Sequence, residues 1–223
     1  MTVSLAALAD AVVAKAEGKS RFVVAIAGPP GAGKSTLADA LHEELIRRGE
    51  TSAILPMDGF HMDNGILEER GLLKRKGAPE TFDVRGFADI VRAVRAADEE
   101  VLAPVFDRSR EIAIASARPV SADTRIILAE GNYLLLDEAP WTKLDGLFDL
   151  TVFVGPSYGV LEERLRRRWE HYGLAEAEIQ WKLYGNDLPN GKRIIENSRK
   201  ADIAIEIFEM AEPSDQPLFS TAK

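Results

Sequence analysis

A doubly wound α/β fold, with a mainly parallel sheet flanked by helices and a small helical lid, is what this sequence predicts. Two observations carry that expectation. Short apolar, β-branched runs alternate with stretches of helical spacing along the chain. The first strong run, Arg21 to Ala27 (RFVVAIA), is apolar on both faces and ends in a glycine loop that opens a helix, which is how a central parallel strand reads.

Taken in order, Leu5, Leu8, Ala9, Val12, Val13 and Ala16 recur at helical spacing, so the first twenty or so residues read as an amphipathic helix packed on the domain. That stretch has no basic start and Asp10 interrupts it, which argues against a secretory signal. After the first strand and its glycines, Leu37, Ala40, Leu41 and Leu45 share one face of a helix from Lys34 to Arg48, and Gly49 ends it. Thr51 to Met57 is the next strand, completing a βαβ unit. A polar stretch, Asp58 to Glu80, precedes a helix from Val84 to Ala97 with Phe87, Ile90, Val91 and Val94 on one side. Val101 to Phe106 and Ile112 to Ala115 are weaker strand candidates, and Arg125 to Ala129 and Leu147 to Val154 are strong ones. Helices are expected over Pro156 to Glu170, Ala175 to Tyr184 and Gly191 to Ser198, and a last strand over Ile203 to Phe208. Residues 1–210 therefore read as a single domain whose lid spans about 164–190, and 211–223, with two prolines and little periodicity, as a loose tail.

Composition narrows the partners. With 223 residues, 46% of them hydrophobic, the chain can bury one good-sized core. A formal net charge of −8 argues against a broad electropositive surface for nucleic acid or anionic membrane. No run approaches the roughly 18 apolar residues of a membrane span. The absence of cysteine excludes disulfides, thiolate zinc sites and thiol catalysis. His42, His61 and His171 are scattered and outline no metal site. The expectation is a cytoplasmic protein, monomer or homodimer, acting on a small molecule.

The chemistry begins at residues 28–35, Gly-Pro-Pro-Gly-Ala-Gly-Lys-Ser, followed by Thr36: a complete G-x-x-x-x-G-K-[ST] phosphate loop, or P-loop. Gly28, Gly31 and Gly33, with Ala32 between the last two, let the backbone fold into an anion-holding nest. The helix behind it points its N-terminal amides at phosphates, Lys34 reaches the β and γ oxygens, and Ser35 supplies an oxygen to Mg²⁺. By average residue usage the bare motif arises by chance on the order of once per hundred chains of this length. Here it also lies between an expected buried strand and an expected helix, the context the motif requires.

Phosphoryl transfer to an alcohol needs a group to orient the hydroxyl and take its proton, and a second acid usually helps to hold the metal. Such groups sit where parallel strands end. Asp58 follows the strand Thr51 to Met57, although a plain turn before Gly59 would also carry an aspartate. Glu130 follows Arg125 to Ala129, where a solvent-facing glutamate is the plainer alternative.

Beyond the phosphate loop, Met57-Asp58-Gly59-Phe60-His61, Gly77-Ala78-Pro79-Glu80-Thr81-Phe82-Asp83, Pro104-Val105-Phe106-Asp107, Glu130-Gly131, the arginine-rich helix Arg164 to Arg168, and Ala201-Asp202 form a pattern over nearly the whole chain. It resembles the phosphoribulokinase, uridine kinase and bacterial pantothenate kinase family of P-loop kinases, nearest its small bacterial nucleoside-kinase-like or fructose-transport-system-kinase-like branch. The resemblance implies Asp58 as general base, Mg²⁺ held through Ser35 with help from the carboxylates of Asp58 and Glu130, and a lid whose arginines close on the phosphates of ATP. Uridine kinases usually carry tyrosine where this chain has His61, which argues against a nucleoside.

Arg164, Arg166, Arg167 and Arg168 lie on one expected helix, as charge-stabilising groups for a transferring phosphoryl or as an exposed face paired with Glu162, Glu163 and Glu170. Arg164 and Arg168 share a face at spacing four, while Arg167 also pairs with Arg164 at spacing three; the family's lid pattern favours Arg164 and Arg168, with Arg168 catalytic. The acceptor pocket is expected between Gly59 and Arg110. There Lys74, Arg75 and Lys76 can meet an anion, and His61, Glu80, Asp83, Asp107 and Arg108 can bond hydroxyls or a carboxylate; each also reads as a solvated loop charge. The resulting expectation is a kinase that uses ATP and Mg²⁺ to phosphorylate a hydroxyl of a nucleoside, a sugar or a pantothenate-like metabolite. The alternative is a P-loop ATPase or regulatory switch with no small-molecule acceptor.

Overall fold

The computed structural model of the protein describes residues 2–209, and the tail expected over 211–223 lies outside the described residues. Strand β1 (Thr2–Ser4) leads into helix α1 (Leu5–Lys15), capped by the Ser4 side chain, which accepts from the Ala7 amide, and α1 buries Leu8, Ala9 and Val12. Strand β2 (Phe22–Ala27) is buried along its whole length. It is followed by α2 (Lys34–Arg47) and β3 (Ser52–Pro56). A short 3₁₀ turn over Met57–Phe60, helix α3 (Asn64–Glu69) and two further 3₁₀ turns fill the polar stretch before α4 (Val84–Ala96). Then come β4 (Val101–Asp107), β5 (Ile112–Val120), β6 (Ile126–Gly131) and β7 (Leu150–Val154). The chain closes through α5 (Tyr158–His171), α6 (Glu176–Lys182), α7 (Leu188–Asn197), β8 (Ile203–Ile205) and β9 (Ile207–Glu209).

Five parallel strands make the central sheet, in the order β3-β6-β2-β7-β8. Because successive side chains point to opposite faces, β2 serves two cores. Phe22, Val24 and Ile26 join Leu8, Val12, Leu37, Leu41, Leu161 and Leu165 from α1, α2 and α5. Val23, Ala25 and Ala27 join Phe87 and Val91 of α4 and Trp141. Each large apolar side chain so buried contributes about 1.5–3 kcal/mol. The sheet brings the ends of β2, β3 and β6 side by side, with Pro56 and Ile26 both in register with Glu130. Among the described residues no helix is long and apolar enough to cross a membrane.

Three elements differ from expectation. The weaker strand candidates extend to β4 and β5 and pair antiparallel as a separate hairpin; β5 is mostly exposed and lacks the two-sided apolar pattern that would seat it in the central sheet. The single last strand is two: β8 joins β7, and after Glu206 the chain leaves the sheet so that β9 pairs with β1. The gap expected between the last two helices is a π-helical turn, Leu183–Asp187, that runs directly into α7, with Pro189 in the first turn of α7.

Candidate active site

A cavity of about 810 Å³ opens at the carboxyl edge of the central sheet. Its floor is the loop after β2. Gly28, at φ +150°, lies so close to β7 that a Cβ would sit 2.1 Å from the Val154 carbonyl oxygen, so glycine alone fits. Gly31, Gly33, Lys34, Ser35 and Thr36 face the cavity, whereas Gly28 and Ala32 stand behind the loop, Ala32 in the hydrophobic core. Lys34 opens α2 and is 6% exposed, and its Nζ donates to the Pro29 carbonyl at 3.0 Å across the loop. Amides at a helix start behind a glycine turn, with a buried ammonium beside them, form a strong anion site.

Glu130, near the end of β6, is 8% exposed and lines the cavity with Ser35. Burial pushes its carboxyl up to about 7, against the pull of the neighbouring Lys34 ammonium. The same burial lowers Lys34, with Glu130 and Asp58 opposing the shift. Asp58 lies in the 3₁₀ turn directly after β3 and is ion-paired to Arg108 at the tip of the β4–β5 hairpin. The hairpin can come that close because residue 59 is glycine: a Cβ there would meet the Pro104 carbonyl oxygen at 2.3 Å.

Asp58 and Arg108 lie within electrostatic reach of both Lys34 and His61. Lys34 feels Glu130, Asp58, Arg168 and Arg108, whereas His61 feels Asp58, Lys76 and Arg108. His61 is wedged between the rings of Phe82 and Phe106, with centroids at 4.1 and 4.4 Å, and its Nδ1 bonds the Asp58 carbonyl at 2.7 Å. Burial keeps its pKa below the ordinary value.

Helix α5 roofs the phosphate end. Arg164 donates to the Ala32 carbonyl at 3.0 Å, while the Arg168 guanidinium lies 5.2 Å from the Trp169 ring centroid, and both arginines face the cavity. Arg166 and Arg167 turn outward to Glu176 and Glu163. The Trp169 indole donates to Asp187 at 2.7 Å, and burial raises the Asp187 carboxyl. The π-helical turn ties this roof to the opposite wall: Asn186 donates to the Lys76 carbonyl at 3.2 Å, and Arg75 donates to the Gly185 carbonyl at 3.2 Å.

The structure thus brings Lys34, Ser35, Thr36, Asp58, His61, Arg108, Glu130, Arg164 and Arg168 to one cavity. It gives the remaining acceptor candidates other partners. Glu80 pairs with Arg75 and Arg193, Asp83 caps α4 through the Gly86 amide, and Asp107 holds the hairpin turn through the Ser109 and Arg110 amides. Among the other candidates for an anion, Lys76 lines the cavity, and Lys74 and Arg75 lie outside its lining. Sequence reasoning missed Asn64, Phe106, Asn132, Asn186 and Asp187, which also line it. Phe106 was legible as the apolar end of a strand candidate, but nothing local marks Asn186 or Asp187.

Comparison with known proteins gives a consistent picture. The model of the Phosphoribulokinase / Uridine kinase family matches residues 23–209. The uncharacterized protein YggC of Escherichia coli (strain K12) is 36% identical over 191 residues, covering 85% of this chain and 79% of that one. A proposed uridine kinase of Schizosaccharomyces pombe is 32% identical over 198 residues, covering 84% of each. Among solved structures, a proposed fructose transport system kinase from Silicibacter sp. TM1040 superposes with a TM-score of 0.86 at 42% identity, over 91% of this chain and 98% of that one.

Proposed function

The chain belongs to the phosphoribulokinase/uridine kinase family and is an ATP-dependent kinase of small molecules, and from that premise we propose that Asp58 is the base that takes the proton of the acceptor hydroxyl. The observation that supports this role is the place of Asp58 on the cavity wall directly after β3, within electrostatic reach of both Lys34 and His61. A hydroxyl lying against that carboxylate faces the γ-phosphoryl of ATP seated on the glycine loop. Its oxygen attacks the γ-phosphorus, the bond from that phosphorus to the β–γ bridging oxygen breaks, ADP leaves, and the proton passes to Asp58.

Lys34 and the loop amides hold the β and γ oxygens, and Arg168 stabilises charge on the transferring group. The Ser35 hydroxyl and the carboxyl groups of Glu130 and Asp58 line the same cavity, and such oxygens suit a hard cation. They would hold Mg²⁺, which supplies charge neutralisation on the phosphates when bound. Closure of the α5 roof keeps water from the γ-phosphoryl. A net charge of −8 and a chain without cysteine support a cytoplasmic enzyme whose partner is a metabolite rather than nucleic acid or membrane.

The decisive variant is Asp58→Asn, which keeps size and removes charge and basicity. Mg-ATP binding should persist while acceptor phosphorylation falls roughly 10²- to 10⁴-fold. Added Mg²⁺ should not rescue it if the loss is one of base catalysis. Acceptor turnover within a few-fold of wild type would reduce Asp58 to a turn residue. A wild-type protein whose slow ATP hydrolysis no metabolite stimulates would instead be a switch.

A further inference from the structure

We propose that Asp187 is a positioning residue for Arg168: through the Trp169 indole it fixes where the arginine's guanidinium stands in the cavity. The inference rests on the kinase reading above, in which Arg168 stabilises charge on the transferring group, and deepens it by naming what holds that arginine in place.

Arg168 lines the cavity half-buried, yet among the described residues its guanidinium makes neither a hydrogen bond nor an ion pair. The contact that holds it is the ring of Trp169, whose centroid lies 5.2 Å from the guanidinium carbon. An arginine stem left to itself samples many rotamers, so the ring beside it decides where the charge sits. The ring is fixed in turn from the π-helical turn and the end of α6. Its Nε1 donates to the Asp187 carboxylate at 2.7 Å, and the Lys182 ammonium lies 4.5 Å from its centroid. The indole N–H is the one polar group a tryptophan side chain has, so the bond to Asp187 sets how the ring is turned.

The turn that carries Asp187 is well anchored. The Leu188 amide donates to the Leu183 carbonyl five residues back, the wide spacing of a π-helix, and both leucines are buried in the core. Within the turn Asn186 and Asp187 are consecutive and take different partners: Asn186 bonds the Lys76 carbonyl and the Asn190 side chain, and Asp187 takes the indole. The carboxylate thus comes from a segment seated in the core and not from the arginine's own helix. Burial works against the charges of both Asp187 and Arg168, and each draws the other back toward its charged form. With no direct ion pair between them, the indole is the contact they share.

The test follows ADP release from Mg-ATP by the whole chain, with whichever of uridine, fructose and pantothenate the wild type turns over fastest. If it uses none of them, water serves as acceptor, since hydrolysis passes through the same transferring phosphoryl. Asp187→Leu should lower kcat roughly 10- to 100-fold, the cost of a misplaced group, with the KM for ATP within about three-fold of wild type. Asp187→Asn keeps an oxygen for the indole and should recover most of that rate. Trp169→Phe keeps a ring and loses the donor, so it should fall to a similar rate, and it gives the comparison if the leucine variant melts well below wild type. The double variant isolates the role: in an Arg168→Ala protein, Asp187→Leu should cost no more than about a further two-fold, because the group it positions is already gone. Three results overturn the inference and leave the kinase and Arg168 standing: full additivity of the two losses, an asparagine variant as slow as the leucine one, or a raised acceptor KM at unchanged kcat, which would put Asp187 on the acceptor itself. An Arg168→Ala protein as fast as wild type removes the role of Arg168, and the inference falls with it.

Discussion

Arg108 and Asp58 lie fifty positions apart in the sequence and form an ion pair across the cavity, the first from the tip of the β4–β5 hairpin and the second from the end of β3. The hairpin therefore orients the proposed base from outside the central sheet. Arg108→Ala should lower kcat/KM for the acceptor roughly 10- to 100-fold, the range for losing a charge-assisted hydrogen bond, and leave Mg-ATP affinity within a few-fold. Steady-state kinetics with each substrate varied in turn decides. An equal loss on the ATP side would place Arg108 on the phosphates instead.

Lys34→Ala should lower turnover by roughly 10²-fold or more, since the buried ammonium is the point charge on the β and γ phosphates. It also leaves the Glu130 carboxyl without its closest cation, so Mg-ATP titrations should show weaker binding. Unchanged affinity together with unchanged turnover would remove the phosphate-loop role.

Arg168 and Arg167 are neighbours in sequence with opposite surroundings. Arg167 is 74% exposed and bound to Glu163, while Arg168 faces the cavity beside Trp169. Arg168→Ala should lower kcat more than ATP affinity, because a lid arginine acts in the closed, transition-state form. Arg167→Ala should remain within two-fold of wild type, as exposed helical ion pairs contribute little. Matching behaviour of the two variants would make the helix a solvated face.

Glu130 gives the protein a pH signature. Burial raises its carboxyl to about 7 from an ordinary 4.5, Lys34 opposing the shift. Between those values the folded protein holds a proton that the unfolded chain has released, so stability falls as pH rises through that window. Melting curves of wild type without nucleotide or metal should therefore drop relative to Glu130→Gln across it. Parallel curves for the two proteins would show that the carboxyl titrates at its ordinary pH.

The phosphate loop, Asp58 and Glu130 were legible because their chemistry is local: glycines and Lys-Ser at a helix start, and an acid where an apolar strand ends. Helical spacing alone leaves Arg167 beside Arg164 and Arg168, and only the family's lid pattern favours the latter two. Asn186 was not legible, because its meaning lies in a bond to the Lys76 carbonyl, 110 positions away. Asp83 was assigned to the acceptor on its neighbourhood, while the simpler signal, an aspartate just before a helix, agrees with the cap it forms on Gly86. The antiparallel hairpin escaped because β4 and β5 show apolar content without the alternation that reveals a partner. The split of the last strand at Glu206 leaves no mark in a run of isoleucines and phenylalanine.

The two cores that grip β2 hold the phosphate loop from both faces, whereas the Arg108 side of the cavity hangs on a separate hairpin. Mutations therefore meet very different resistance in the two halves. A change beneath the phosphate loop disturbs side chains that the whole fold depends on, but a change at the half-exposed tip of the hairpin disturbs few of them. Such a frame separates the part of the cavity that the sheet holds rigid from the part that surface substitutions can reshape while the sheet stays as it is.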